Sequence, residues 1–250
     1  MVARESHKLT DGRFDSSSRN QIKNHMNIVV IGGGEPGKFG HDFCSQAKAH
    51  RHDVRVLSHK KYDTCNSHHM YADFTDPEDV RSKFLTLTAS LDQIDLFVYC
   101  TNNGAYPGKT DDLISTSQVN RSAWHYAVDV HVVIPHMLSL ETLKKMNKSC
   151  AIVYMTTGLS YDFSNKIHEY SKYVGYAGLK GVQNHLMKGL ADHNDKGAIC
   201  TSVASHFTYD DLDNYNIIFD RVYNYITNLT AVNNGKIRQI WPGMESKDVN

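Results

Sequence analysis

Two residue types that can move a proton together lie one helical turn apart in the second half of the chain. Tyr176 and Lys180 are four positions apart, so on a helix their side chains share one face. A phenol with a pKa of about 10 is a poor acid or base near neutral pH, but a neighbouring ammonium favours the phenolate and lowers that pKa. The pair therefore predicts a proton donor and acceptor for a carbonyl/alcohol couple on an exposed helix turn. The spacing alone is also that of an ordinary helix face.

A glycine-rich stretch is the second chemical feature. Gly32 opens a G-x-G-x-x-G pattern, and Gly34, Gly37 and Gly40 spell G-x-x-G-x-x-G. Glycine permits positive φ in a tight turn and lets the backbone approach a pyrophosphate, which the amino end of the next helix attracts. The stretch follows an apolar, β-branched run at 26–31 and opens a predicted helix. That context is typical of a dinucleotide-binding turn.

The elements that position these residues alternate between strand and helix. Strands are predicted at 26–31, 53–57, 94–100, 151–155, 198–203 and 236–240, with a short one at Tyr71. Helices are predicted at 39–50, 77–88, 118–147 and 215–231, with another that carries Tyr176. This alternation predicts an α/β protein with a doubly wound, Rossmann-type parallel sheet of about seven strands and helices on both faces. Residues 26–250 would form a single dinucleotide-binding domain, and residues 1–25 a flexible tail.

Composition restricts the partners. The chain has 27 acidic and 27 basic residues and a formal net charge of zero, which gives no indication of a nucleic-acid or membrane partner. No apolar run approaches the roughly 20 residues of a membrane span, and the N-terminus lacks the apolar core of a secretory signal. The five scattered cysteines are interpreted as reduced thiols. These features predict a cytoplasmic protein.

The residues after the second predicted strand bear on the choice of dinucleotide. An acidic residue there would hydrogen-bond the adenosine ribose and favour NAD, but this chain has Ser58, His59 and Lys60. A hydroxyl and positive charge suit a 2′-phosphate, so NADP(H) is preferred over NAD(H), with a solvated basic turn as the alternative. The nearby C-x-x-H-H cluster that begins at Cys65 fits no structural zinc pattern. It predicts a histidine-rich loop and no metal site.

With these features in order, the chain resembles the short-chain dehydrogenase/reductase family over about residues 26–243. The glycine stretch looks like the cofactor loop of that family in a G-x-x-G-x-x-G variant. Asp73 matches the aspartate that contacts adenine. The turn Asn102, Asn103 and Gly104 resembles the family's N-N-A-G turn with the alanine missing. The resemblance implies an NAD(P)(H)-dependent oxidoreductase that interconverts a carbonyl and a secondary alcohol.

The resemblance also implies residue roles. Tyr176 would be the general acid/base, and Lys180 would hold the nicotinamide ribose hydroxyls and lower the pKa of the tyrosine. Thr157 stands where the family has its active-site serine. It lies 19 residues before Tyr176, whereas the family usually has about 13, so Ser160 or Ser164 is an alternative source of that hydroxyl.

Several departures from the family leave the function open. His131 takes the place of the relay asparagine, where it could relay protons or only pack. The alternatives to an active oxidoreductase are a catalytically degenerate dinucleotide-binding or redox-sensing protein and, more remotely, a sugar-nucleotide enzyme of the longer, extended type. The resemblance further implies a homodimer or homotetramer. Leu179, Val182 and Leu186 are candidates for the shared face or for helix core.

Overall fold

The computed structural model describes six ranges of the chain: 25–59, 68–101, 121–157, 174–205, 212–240 and 247–249. Its strands are β1 (Asn27–Ile31), β2 (Asp53–Ser58), β3 (His68–Tyr71), β4 (Leu96–Tyr99), β5 (Ala151–Thr156), β6 (Ile199–Ser205), β7 (Ile237–Ile240) and β8 (Lys247–Val249). Its α-helices are α1 (Phe39–Ala49), α2 (Pro77–Thr88), α3 (Arg121–Val128), α4 (Ile134–Leu143), α5 (Val174–His193) and α6 (Leu212–Thr227). A π-helical segment, Asp129–Val133, joins α3 to α4.

The described strands form one sheet in the order β3-β2-β1-β4-β5-β6-β7-β8. Neighbours from β3 to β7 pair in parallel, and β8 runs antiparallel to β7. This confirms the predicted α/β class and the doubly wound parallel sheet of about seven strands. The short β8 was not predicted, since its three residues show no apolar alternation. The strand order reverses between β1 and β4, and the carboxyl ends of these strands flank the point where such sheets bind ligands.

Helices cover both faces of the sheet. Side chains alternate between the two faces along every strand, so neighbouring residues of a strand pack against different helices. On one face Val29 and Phe97 pack with residues of α2, α4 and α5. On the other face Ile28 and Val98 pack with residues of α1 and α6. Strands buried on both sides are near-continuous apolar runs, which explains why β1, β4 and β5 stand out in the sequence.

The long helix predicted over 118–147 contains an irregularity. Within its described part, the chain is helical from Arg121 to Leu143, but residues 129–133 form π-helical turns. Pro135 follows in the first turn of α4. A proline has no N–H and cannot join the regular helical bonding pattern, so the sequence predicted a kink at this point. The structure has π-helical turns immediately before Pro135, so the regular bonding pattern is interrupted where the proline predicts it.

Among the described residues, no helix combines the length and apolarity that crossing a membrane requires.

Candidate active site

The glycine bend begins where β1 ends and lies against the ends of both neighbouring strands. Gly32 has a φ of +95°, and its N–H donates to the carbonyl of Leu57 at 2.8 Å. A Cβ on Gly32 would lie 2.9 Å from the backbone nitrogen of Thr101, which follows β4. The close backbone contact and the positive φ both require glycine here.

The next glycines allow α1 to pack directly on the bend. A Cβ on Gly40, in the first turn of α1, would lie 2.6 Å from Sγ of Cys100 and 2.9 Å from Cα of Gly33. Gly33 is therefore another position in the bend where neighbouring atoms leave little room for a side chain, although the spacing pattern did not single it out. Gly34 is buried within the bend, whereas Gly37, with a φ of +71°, faces open space. This is the close helix–strand approach of dinucleotide-binding turns.

Lys180 occupies the same edge of the sheet. Its Nζ donates to the carbonyls of Met155 at 2.9 Å and Thr101 at 3.3 Å, and to Oε1 of Gln183 at 3.0 Å. Thr101 thus contacts both the lysine and the glycine bend, which places them side by side at the carboxyl ends of β4 and β5. The helix turn was predicted to be exposed, but Lys180 is only 1% exposed. This part of the prediction was wrong, because the ammonium reaches inward to strand carbonyls.

Burial alters the acidity of this lysine. Removal from water disfavours the ammonium and lowers the pKa of Lys180 to about 7, an effect that the nearby Cys100 thiol partly opposes. Burial also raises the pKa of Cys100 to about 12, so that the thiol stays protonated and donates to the carbonyl of Ile31 at 3.1 Å. The charged state of Lys180 therefore changes near neutral pH.

This acidity makes folding stability depend on pH. The unfolded chain keeps the lysine proton up to about pH 10.5, whereas the folded chain releases it near pH 7, so the unfolded state binds more protons between these values. The free energy of unfolding should rise with pH in that window, by up to about 1.4 kcal/mol per pH unit. Urea unfolding from pH 6 to 9.5 should show this contribution, and Lys180→Met should remove it. Lys188→Met, on the half-exposed part of α5, is the matched control. Parallel curves for wild type and Lys180→Met would contradict the assignment.

Tyr176 and His131 complete the cluster. The ring of Tyr176 lies 5.8 Å from Nζ of Lys180, and the ring of His131 meets it edge to face with centroids 5.4 Å apart. His131 is fully buried in the π segment, and burial, followed by the charge of Lys180, holds its pKa well below the usual value. His131 is therefore neutral at physiological pH. The structure brings together three of the four predicted catalytic side chains, Tyr176, Lys180 and His131.

The fourth predicted catalytic residue, Thr157, directly follows β5 and is half-buried. Its neighbour Thr156 is buried, and the Thr156 hydroxyl has no hydrogen-bond partner among the described residues. Ser160 and Ser164 lie outside the described ranges. Gln183 was missed by sequence reasoning. Its position three residues after Lys180 on the same helix is the signal that would have found it.

On the cofactor side, Ser58 is only 2% exposed, and its Oγ lies 2.7 Å from Nε2 of His69. The histidine pair at 68–69 was predicted to lie in a loop, but it belongs to β3, where pairing with β2 brings His69 to Ser58. His59 contacts the ring of Phe74 edge to face at 6.1 Å. The Ser58 hydroxyl, which was predicted to contact a 2′-phosphate, is therefore already hydrogen-bonded to the imidazole of His69.

Asp73 is exposed and forms a tight local turn. Its Oδ1 accepts from the side-chain hydroxyl of Thr75 at 2.7 Å and from the Thr75 N–H at 2.9 Å, and these bonds lower the pKa of Asp73. Contact with adenine stays a prediction for this residue. Lys60 and the turn 102–104 lie outside the described ranges. Within the described ranges no group of three or more His, Cys, Asp or Glu side chains is arranged to hold a metal ion.

Comparison with known proteins supports the fold. A scan against models of protein families finds no match, and neither does a search of curated proteins. Solved structures do match. A short-chain dehydrogenase from Burkholderia cenocepacia in complex with NADP is 16% identical, with a TM-score of 0.68, and the match covers 90% of this chain and 99% of that one.

Two further structures agree. A short-chain dehydrogenase from Leptospira borgpetersenii with bound NAD+ is 14% identical, with a TM-score of 0.67 and coverage of 96% and 97%. A short-chain type dehydrogenase/reductase from Mycobacterium ulcerans is also 14% identical, with a TM-score of 0.66 and coverage of 87% and 89%. The chain therefore has the fold that these proteins share, over nearly its whole length, which confirms the predicted resemblance at the level of the fold.

Proposed function

We propose that the chain is an oxidoreductase of the short-chain dehydrogenase/reductase kind, which uses a nicotinamide dinucleotide to interconvert a carbonyl and a secondary alcohol. The observation that carries this proposal is that Lys180 and the glycine bend both contact Thr101, while the ring of Tyr176 lies near Lys180 and against His131. Lys180 and the bend lie at the carboxyl edge of the sheet, next to the reversal of strand order where ligands bind in this architecture. The likeness in fold to structures with NADP and NAD+ bound supports the same class of cofactor.

The glycine bend and the amino end of α1 would hold the pyrophosphate, and the bound nicotinamide supplies the hydride chemistry. Tyr176 then exchanges a proton with the substrate oxygen at its phenolic oxygen. The protonated Lys180, 5.8 Å from the ring centroid, favours the phenolate. His131, packed against the same ring, excludes water from this side of the phenol. Thr157 remains our candidate for a hydroxyl that orients the substrate oxygen.

The role of Lys180 differs in one respect from the one implied by the resemblance. An ammonium has three donors, and the contacts to Met155, Thr101 and Gln183 use all three. To hold the ribose hydroxyls, Lys180 must exchange one of them. The 3.3 Å contact to Thr101 is the longest and is the one we expect to be replaced.

This saturated lysine is also the observation that favours the second candidate function, a dinucleotide-binding or redox-sensing protein without turnover. In that case the bend binds the dinucleotide, while Lys180 stays with the strand carbonyls. The two functions predict the same ligand and differ only in the reaction.

Dinucleotide binding followed by turnover tests the proposal. We propose NADP(H) over NAD(H), because the residue directly after β2 is His59 and not an acidic residue. NADPH should raise the melting temperature more than NADH does, since a ligand that binds only the folded state adds about 2.7 kcal/mol of stability at 100 times its Kd. A panel of aldehydes and ketones should then oxidise NADPH, followed by its nicotinamide absorbance. Binding without turnover would favour the sensing function, and no binding of either dinucleotide would reject both.

Oligomerisation stays a proposal. Among the three candidates for a shared face, Leu179 is buried core and Leu186 is half-buried, whereas Val182 is 45% exposed. If a homodimer or homotetramer forms through α5, Val182 is the side chain placed to meet its copy.

A further inference from the structure

The π segment before α4 poses a hydrogen-bonding problem that originates in Pro135. A proline has no N–H, so one carbonyl in the preceding turn must lose its helical partner. In an α-helical register the bond spans four residues, and the carbonyl left over would be that of His131, where the proline ring would also clash. In a π register the bond spans five residues, and the carbonyl left over is that of Val130.

The structure has the π register. The N–H of Ile134 donates to the carbonyl of Asp129, five residues back. The carbonyl of Val130 therefore has neither Ile134 nor Pro135 as a donor. The hydroxyl of Tyr99, at the end of β4, donates to this carbonyl instead. Tyr99 is fully buried, and burial raises its pKa well above the usual value, so the hydroxyl keeps its proton.

The register of this segment decides where His131 points. Each residue advances an α-helix by about 100° around its axis, so adding or removing one residue in a turn rotates a side chain away from its partner. In the observed register the fully buried His131 ring lies 5.4 Å from the ring of Tyr176 at an angle of 74°. Rewinding residues 129–133 into an α-helix would break this contact.

We propose that Tyr99 is a positioning residue of the candidate active site: its hydroxyl stabilises the π register at Val130, and that register holds His131 against Tyr176. The effect on the His131–Tyr176 contact depends only on the fold. The effect on turnover rests on the proposed function.

The chain offers a matched control on the neighbouring strand. Tyr154 is also fully buried, and its ring lies 6.1 Å from that of Tyr99. Its hydroxyl donates to the carbonyl of Pro135 at 3.1 Å and lies 2.6 Å from Oγ of Ser139, beyond the π segment. Tyr99→Phe and Tyr154→Phe each remove one buried hydroxyl that bonds to the same helix. Only the first should change the register.

The first measurement needs no turnover. Ring-proton NMR signals of His131 and Tyr176, assigned by their loss in His131→Asn and Tyr176→Phe, should shift in Tyr99→Phe and stay in place in Tyr154→Phe. Pro135→Ala is a second variant that deletes no buried hydroxyl. It returns an N–H that satisfies the α register, so the same signals should move although Tyr99 is intact. Unchanged signals in both Tyr99→Phe and Pro135→Ala, or equal shifts in Tyr154→Phe, would overturn the proposal.

The second measurement is a double-mutant cycle on kcat. Tyr99→Phe should lower kcat roughly tenfold to a hundredfold with little change in KM for NADPH. In a His131→Ala background the same substitution should have no further effect, since the side chain that it positions is gone. Additive losses would show that Tyr99 acts by another route and would reject the inference. If wild type has no turnover but the NMR shifts occur, the proposed function fails and the positioning role stands.

Discussion

Tyr176→Phe should abolish carbonyl-dependent oxidation of NADPH and leave dinucleotide binding unchanged. The substitution removes the phenolic oxygen but keeps the ring that packs on His131 and faces Nζ of Lys180. A positioned acid or base contributes about 10²- to 10⁴-fold to a rate. We therefore expect kcat to fall by at least about a hundredfold, with the melting-temperature increase caused by NADPH retained.

The control for this experiment is a phenol removed elsewhere. Tyr225, on α6, stacks with Arg238 at 5.5 Å and lies on the opposite face of the sheet from α5. Tyr225→Phe should leave turnover at the wild-type level. If Tyr176→Phe turns over as fast as this control, Tyr176 is not the proton carrier, and the dinucleotide-binding function becomes the better account of the site.

The parts of the fold that the sequence predicted are those determined by local chemistry. Helix α2 begins where predicted, because Asp76 caps it by accepting from the N–H groups of Glu78 and Asp79. Strands β1, β4 and β5 were found because strands covered on both faces are near-continuous apolar runs. The glycine bend was found because a close backbone contact leaves no room for a side chain, so glycine recurs at a recognisable spacing.

The parts that the sequence did not predict depend on partners distant in the chain. The Tyr99 hydroxyl that supports the π segment comes from 31 residues before Val130. The bond between Ser58 and His69 exists only because β2 and β3 pair in register. Lys180 is buried because its ammonium donates to carbonyls at two strand ends. A helical pattern in the sequence indicates which face of the helix a residue occupies, but not which groups of the sheet that face contacts.

Gly32→Ala should be the most damaging of the small substitutions in the glycine bend. It combines a φ of +95° with a Cβ placed 2.9 Å from the nitrogen and 3.0 Å from the Cα of Thr101. These are backbone atoms, and the carbonyl of Thr101 also accepts from Lys180, so neither neighbour can move freely. Backbone strain and overpacking each cost about 1–3 kcal/mol. We expect a combined loss of roughly 3–5 kcal/mol in the free energy of unfolding.

Gly37→Ala separates strain from crowding in the same bend. Gly37 also has a positive φ, +71°, but a Cβ there would meet no atom within 4 Å. Gly37→Ala should lower the free energy of unfolding by only about 1–2 kcal/mol, the strain of a left-handed conformation at a residue with a side chain. Urea unfolding of the two variants measures the difference directly. Equal losses of unfolding free energy would show that contact with Thr101 does not constrain Gly32. The glycine bend could then lie apart from Lys180. The geometric basis for placing a dinucleotide beside Tyr176 would be lost.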